Sequence, residues 1–525
     1  MDLKIRVVTG TLPIQPETAI FFSFEEKLEK NQSLNFFDKL QLERIKQITQ
    51  KKDFQGKEKQ ILMIENIAPY QSIVLVGAGK RSDFNLVKFK KFLALAIKKI
   101  IGEKYNSAIL RYFEQLGKNW VQLGKTIAEA FYLSNYYFDF YKSSEEKKKL
   151  HHLREFIFSV PNGNQIKKIE EGINLGQIIS QGVYLTRDLV NFPASQVHPE
   201  TLVEEAFKIE KASRGKIQVE ILDEDECQRL GMGAFLGVSQ GSERKPKFII
   251  LHYPNRSLNS DSLTPRAGKI RSVGISSSRI PRICLIGKSI TFDSGGLSLK
   301  PSEAMEAMKI DMAGGAAVLG VFQILTQLDE KIYPVNYEIY GILPACENMP
   351  SGKALKPGDV LQALNGKTIE VLNTDAEGRL TLADALCFAE KHLKPDLIID
   401  LATLTGACMV ALGREITGLF GNNKKWLEKF KKSVKEEGEE LWELPLYQDY
   451  KRMLESDIAD YKNVGGRYGG AITAALFLEN FVSKTAWLHL DIAGSAYNWD
   501  KIEDIRSKGA TGWGVTSIIN FLLKK

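Results

Sequence analysis

What limits this chain most is a repeated alternation. Short apolar runs end in glycine or charge, and helix-spaced segments follow them. Beyond residue 170 the runs are FIILHY (248–253), ICLIGK (283–288), YEIYGIL (337–343), LIIDLATL (397–404) and WLHLDIAG (487–494). Before residue 160 they are LKIRVV (3–8), AIFFSF (19–24), QSIVLVGAG (71–79), AILRYF (108–113) and FIFSV (156–160). Phe84, Val87, Phe92, Leu95 and Ile97 fall at the spacing of an amphipathic helix over 83–101. Strands alternating with helices predict an α/β protein with helices on both faces of a sheet. At 525 residues the chain is too long for one core. The lysine-rich stretch 143–156 and the turn cluster Pro161-Asn162-Gly163-Asn164 mark a break. We read a smaller N-terminal α/β domain, 1–165, and a larger C-terminal α/β domain, 166–525, opened by a helix at about 169–190.

One stretch interrupts this order. Residues 255–282 hold seven serines, six Arg or Lys and one acidic residue. That composition reads as a polar surface loop between two core strands, with a basic contact for a partner as the alternative. A net charge of +7 over the whole chain is far below that of a dedicated nucleic-acid binder. The five cysteines, Cys227, Cys284, Cys346, Cys387 and Cys408, form no CxxC pair. They read as small buried apolar residues rather than a disulfide framework or a zinc site. His151 and His152, in the charged stretch, read as solvated surface. No signal peptide is visible at the N-terminus, and no uncharged apolar run reaches the roughly 18 residues of a transmembrane helix. A reducing cytoplasm is the simplest compartment.

Charge gathers in two places. GKSITFDSGGLSLKPSEAMEAMKIDMAGGAAV (287–318) sets Lys288, Asp293, Lys300 and Asp311 among small residues after an apolar strand. VLNTDAEGRLTLADAL (371–386) sets Asp375, Glu377 and Arg379 after another. Loops that follow strands lie at the sheet's carboxyl edge, where open α/β sheets bind ligands. Asp375 and Glu377, two apart, would share one side of an extended loop. Four converging carboxylates repel one another unless cations sit between them. Oxygen ligands suit Mg²⁺, Mn²⁺ or Zn²⁺, and four carboxylates suffice to bridge two ions. Arg379, placed just before a helix N-terminus, suits an anion. Salt-bridged surface loops are the competing reading of the same spacings.

NTDAEGRL (373–380) resembles the signature of the leucyl aminopeptidase family, the two-metal cytosol aminopeptidases. IGKSITFDSGGLSLKPS (286–302), MKIDMAGGAAV (308–318), DLATLTGA (400–407), SDIADYKNVGG (456–466), GAITAALFL (470–478), HLDIAG (489–494) and KGATGWGV (508–515) resemble further family blocks in the same order. RDLVNFPAS (187–195) resembles the block that opens the catalytic domain. The resemblance implies a macro-domain-like N-terminal domain serving assembly and a catalytic domain with a mixed central sheet. Carried over residue by residue, it makes Asp293 and Glu377 the metal-bridging carboxylates. Asp311 and Lys288 become ligands of the tightly held ion, and Asp375 a ligand of the exchangeable one. Lys300 and Arg379 become the catalytic pair, with bicarbonate at Arg379. Met308, Thr403, Gly406 and Ala474 line the side-chain pocket.

The implied activity is release of N-terminal residues, preferably leucine and other apolar ones, by a water activated between two divalent ions, Mn²⁺ or Zn²⁺. Implied partners are peptide substrates and five further copies in a homohexamer, with no membrane. His489 and Asp491 have no catalytic role in the family and read as structural; Lys309 carries no assignment. NVGGRYGG (463–470) reads as a tight turn before a helix, not a phosphate loop. A second class of function, a DNA-binding architectural or regulatory protein, is permitted by the basic 255–282 and 143–154 stretches but not favoured. A third, an inactive scaffold, conflicts with the intact set of seven metal and catalytic positions.

Overall fold

A computed structural model of the chain describes residues 3–10, 15–25, 34, 36–254, 280–500 and 505–524. Most of the basic 255–282 segment therefore lies outside the described residues. The chain divides into two compact units, 1–180 with 500–508 and 181–499 with 509–525. The helix Ile166–Asn191 contains the division point.

The first unit is built on a six-stranded sheet. Its order is Lys4–Thr9, Glu155–Val160, Ser107–Arg111, Thr18–Ser23, Tyr70–Gly77, Ile61–Ile67. All neighbours are parallel except the last pair, a hairpin. The helix expected over 83–101 spans Leu86–Gly102. It starts late because the Asn85 side chain accepts from the amides of Val87 and Lys88, both at 3.0 Å. Its Phe89, Phe92, Leu93 and Ile97 are buried. The two adjacent histidines depart from the solvated expectation. Both are half-buried: His151 Nε2 donates to the Tyr105 carbonyl at 2.9 Å, and His152 packs edge-on against Tyr137 at 5.1 Å.

The second unit holds a nine-stranded mixed sheet. Its path runs Leu441–Glu443, Thr417–Gly421, Ala486–Asp491, Leu397–Ala402, Arg282–Gly287, Glu338–Asn348, Lys247–Tyr253, Gln218–Leu222, with Ser289–Asp293 also paired to Glu338–Asn348. The four central strands are mutually parallel and the flanking pairs are mixed. All five cysteines are free and buried, as their apolar surroundings predict. Within Ala313–Gln327 thirteen of fifteen residues are buried, so this helix is apolar on nearly every side because the unit encloses it. Among the described residues, Ser302–Gln327 is the single stretch long and apolar enough to cross a membrane, and it is mostly buried inside the protein. The helix N-terminus comes close to the sheet because Gly314 carries no side chain. A Cβ there would lie 2.1 Å from the Leu401 carbonyl oxygen.

A polar strut joins three central strands. Glu338 accepts from Arg282 Nε at 2.7 Å, from the Tyr340 hydroxyl at 2.8 Å and from His252 Nε2 at 2.9 Å. Burial works to raise its pKa, but the hydrogen bonds from His252, Arg282 and Tyr340 outweigh it and hold the carboxyl at about 2. A carboxylate depressed on folding adds stability above its unfolded pKa and loses it as pH falls through the folded one. The drop from an ordinary 4.5 to about 2 corresponds to on the order of 3 kcal/mol, lost between about pH 5 and 2. In urea unfolding at pH 7, 5 and 3, Glu338→Gln should flatten the acid decline seen in the parent. An unchanged decline would refute this assignment.

Candidate metal centre

The chemistry collects where parallel strands end. Lys288 follows Arg282–Gly287, Asp293 ends Ser289–Asp293, Asn348 ends Glu338–Asn348 and Thr403 follows Leu397–Ala402. Asp311 stands just before the helix Ala313–Gln327, and Glu377 is the residue before the helix Gly378–Phe388. Lys288 Nζ lies 2.8 Å from Asp311 Oδ1 and 2.9 Å from Glu377 Oε1, and it donates to the Thr403 carbonyl at 3.1 Å. Lys300 Nζ lies 2.7 Å from Asp293 Oδ2 and also pairs with Asp375 Oδ1. Oxygen atoms of Asp293, Asp311 and Glu377 fall within 4.8 Å of one another, and all three residues are buried. Asp375 stands outside that triad, linked to it through Lys300.

The electrostatics match a cation site. Four carboxylates face only two ammonium groups. Burial raises the pKa of Asp293, and the charge of Glu377 adds to it. Burial likewise lifts Asp311 well above its usual value, and Asp375 is raised for the same reason. Burial disfavours the charged form of Lys288, but Asp311, Glu377 and Asp293 outweigh it and its pKa rises; Lys300 rises through Asp293 and Glu377. Asp311 Oδ2 and Glu377 Oε2 are buried without a hydrogen-bond partner. Buried anionic oxygens left unpaired are costly, so the donor set fits bound divalent ions.

Arg379 lies in the first turn of the helix Gly378–Phe388, as its second residue rather than just before it. Its Nη1 donates to the Asn463 carbonyl at 2.7 Å, while Nε is buried without a partner. Burial lowers its pKa to about 10, against the charges of Glu377 and Asp491. Asp375 and Glu377 do not share a side of an extended loop. The chain turns at 373–376, where the Ala376 amide donates to the Asn373 carbonyl at 3.2 Å, so the two carboxylates reach different lysines.

Four other expected residues are placed as follows. Met308, half-buried, opens a short 3₁₀ turn that leads to Asp311. The Thr403 hydroxyl donates to Asp311 Oδ1 at 2.8 Å. Gly406 is exposed at the start of the helix Gly406–Leu412, and Ala474 is fully buried in the helix Gly470–Glu479. Lys309 Nζ donates to the Asn191 carbonyl at 2.6 Å, away from the carboxylates.

Sequence reasoning missed the asparagines that hold the loops. Asn348 Nδ2 donates to Asp293 Oδ1 at 2.8 Å and to the Thr374 carbonyl at 2.9 Å, tying the two charged loops together. Asn463 Oδ1 accepts from the Leu372 amide at 2.9 Å, and its Nδ2 donates to the Asn373 carbonyl at 2.7 Å. The signal for Asn463 was its place in SDIADYKNVGG, one of the blocks that resemble the family's.

The chain is similar to known proteins along nearly its whole length. The model of the cytosol aminopeptidase family catalytic domain matches residues 184–519, and that of the family's N-terminal domain matches 20–145. A probable cytosol aminopeptidase of Cyanothece sp. is 40% identical over 526 residues, covering 100% of both chains. One of Aquifex aeolicus is 40% identical over 483 residues, covering 91% of this chain and 90% of its own. A mutant of tomato leucine aminopeptidase superposes with a TM-score of 0.83 at 32% identity, covering 100% of this chain and 97% of that one. The bottromycin maturation enzyme BotP in complex with Mn gives 0.80 at 27% identity, covering 97% and 99%. Both halves of the chain match, in order and almost end to end, and the chain belongs to the cytosol aminopeptidase family.

Proposed function

We propose that this protein is a metal-dependent aminopeptidase that removes N-terminal residues, leucine and other apolar ones preferentially, from peptides. The observation that carries the reading is the buried carboxylate triad with two unpartnered oxygens, set between Lys288 and Lys300. Asp293, Asp311, Asp375, Glu377 and Lys288 would hold two divalent ions. Such ions, when bound, acidify a water and polarise a carbonyl. Lys288 would serve as a ligand only as the neutral amine, its proton replaced by a dication. Lys300, anchored on Asp293 and Asp375, would donate to the oxygen where negative charge develops. Arg379, fixed by Asn463 and with Nε still free to donate, would orient bicarbonate as a proton acceptor. Met308, Thr403, Gly406 and Ala474 would form the wall of the side-chain pocket. Mn²⁺ is the first ion to test, since BotP was solved with it; Zn²⁺ is the alternative.

We further read residues 1–165 as the assembly domain and 166–525 as the catalytic one, in a homohexamer acting in the cytoplasm. The DNA-binding alternative rests on the +7 balance, the 143–154 stretch and 255–282, of which 255–279 lie outside the described residues.

The experiment compares a leucyl dipeptide with its N-acetylated twin after dialysis against chelator and reloading with Mn²⁺. Only the free-amine peptide should be cleaved, and only with metal. A folded sample that cleaves neither with any divalent ion would overturn the proposal.

A further inference from the structure

Asp491 and His489, which the proposed reaction leaves without a part, lie directly behind the centre. Asp491 ends the strand Ala486–Asp491 and is 1% exposed. In the strand register it sits opposite Ala402, the last residue before Thr403. Its Oδ1 accepts from the amides of Leu404 at 3.2 Å, Ala493 at 3.2 Å and Thr405 at 3.4 Å. Its Oδ2 accepts from the Thr405 hydroxyl at 2.6 Å, and that hydroxyl in turn caps the next helix by accepting from the Cys408 amide at 3.0 Å. One carboxylate therefore gathers the whole turn 404–405. The turn carries Thr403, whose hydroxyl donates to Asp311 and whose carbonyl accepts from Lys288.

Two register pairs earlier, His489 Nδ1 lies 2.6 Å from Asp400 Oδ1, and Trp487 Nε1 donates to Asp400 Oδ2 at 2.6 Å. Both His489 and Asp400 are fully buried. These bonds clasp the same two strands and fix the height at which Asp491 meets the turn.

We propose that Asp491 is a positioning residue of the metal centre: by holding the Leu404–Thr405 turn it sets Thr403 against Lys288 and Asp311, and so shapes the pocket for the more buried divalent ion. This rests on the aminopeptidase reading only for its kinetic arm. The carboxylate is well suited to the part, because three amides and a hydroxyl converge on it and leave it no freedom to swing. The centre's own residues cannot supply this restraint, since Thr403 meets Asp311 and Lys288 only if its backbone is already placed.

The test uses the full-length protein and Mn²⁺ alone. In Asp491→Asn the shape is kept and the charge removed, and Mn²⁺ affinity, read by titration calorimetry on chelator-treated protein, should fall about 10- to 100-fold. Thr403→Val removes the hydroxyl link to Asp311 without touching Asp491 and should weaken Mn²⁺ in the same direction, while Thr403→Ser should restore it. With saturating Mn²⁺, the kcat for a leucyl dipeptide should fall in Asp491→Asn with KM little changed. Parent-like Mn²⁺ affinity in a folded Asp491→Asn overturns the proposal. If Asp491→Asn does not fold, Thr405→Val, which removes the hydroxyl that donates to Asp491 Oδ2, decides in its place, and parent-like Mn²⁺ affinity there overturns the proposal. A parent that binds Mn²⁺ but cleaves no peptide would instead refute the aminopeptidase reading, leaving the affinities to judge this one.

Discussion

Glu377→Gln should lose at least about a thousandfold in kcat and its response to metal, while the metal-free protein stays folded. The side chain is 1% exposed, with Oε1 on Lys288 at 2.9 Å and Oε2 buried without a partner. Glutamine keeps the shape but turns an anionic oxygen into an amide, a poor ligand for a hard dication. A lost ion removes both the acidified water and the polarised carbonyl, each a contribution of several kcal/mol, so effects of about 10³ or more are in range. The effect on the metal-free fold runs the other way. The charge of Glu377 pushes up the pKa values of Asp293 and Asp311, a sign of repulsion that the substitution relieves. The decisive measurement is thermal unfolding with and without Mn²⁺. The parent should gain stability as the ion binds, by about 3 kcal/mol at a hundred times Kd, and Glu377→Gln should gain almost none. A variant that is stabilised by Mn²⁺ like the parent would remove Glu377 from the ligand set.

How much of this could be read beforehand depends on the kind of information. Five strands of the catalytic unit, four of them mutually parallel, were legible because strands buried on both faces are continuous apolar runs, as in ICLIGK and LIIDLATL. The charged residues were legible because charge directly after such a run has no packing reason to be there. The six-stranded N-terminal sheet was read in part. Ile61–Ile67 escaped notice since ILMIENI mixes polar and apolar residues, as an edge strand does. The inner supports were invisible for another reason. Asn348, Asn463 and Thr403 act through neutral side chains and carbonyls from segments up to 115 residues away from their partners, and no local pattern marks such contacts. The chain turn between Asp375 and Glu377 was missed because side-chain direction in a loop depends on dihedral angles that spacing does not determine.

Gly378→Ala should silence the enzyme almost as completely, although nothing about helix formation forbids alanine there. The residue is the first of the helix Gly378–Phe388, and its backbone is not in the left-handed region. On propensity alone, alanine would be favoured over glycine by about 1 kcal/mol. Space decides otherwise: a Cβ at 378 would lie 2.3 Å from Cε of Lys288, 2.6 Å from its Nζ and 2.8 Å from its Cδ. A lysine on the surface would swing aside at little cost. Lys288 has nowhere to go, because it is 3% exposed and its Nζ is held by Asp311, Glu377 and the Thr403 carbonyl together. Relief must come either from pushing the ammonium out of that cage or from shifting the start of the helix, which carries Glu377 and Arg379 with it. Both routes misplace ligands by a sizeable fraction of an ångström, and a misplacement of about 1 Å is enough to cost about a hundredfold in rate. We therefore expect kcat to drop about a hundredfold or more and Mn²⁺ to be held more weakly, with the helical circular-dichroism signal intact. Full activity in Gly378→Ala would mean that Lys288 or the start of the helix can move without loss, and would refute the tight placement of this part of the centre.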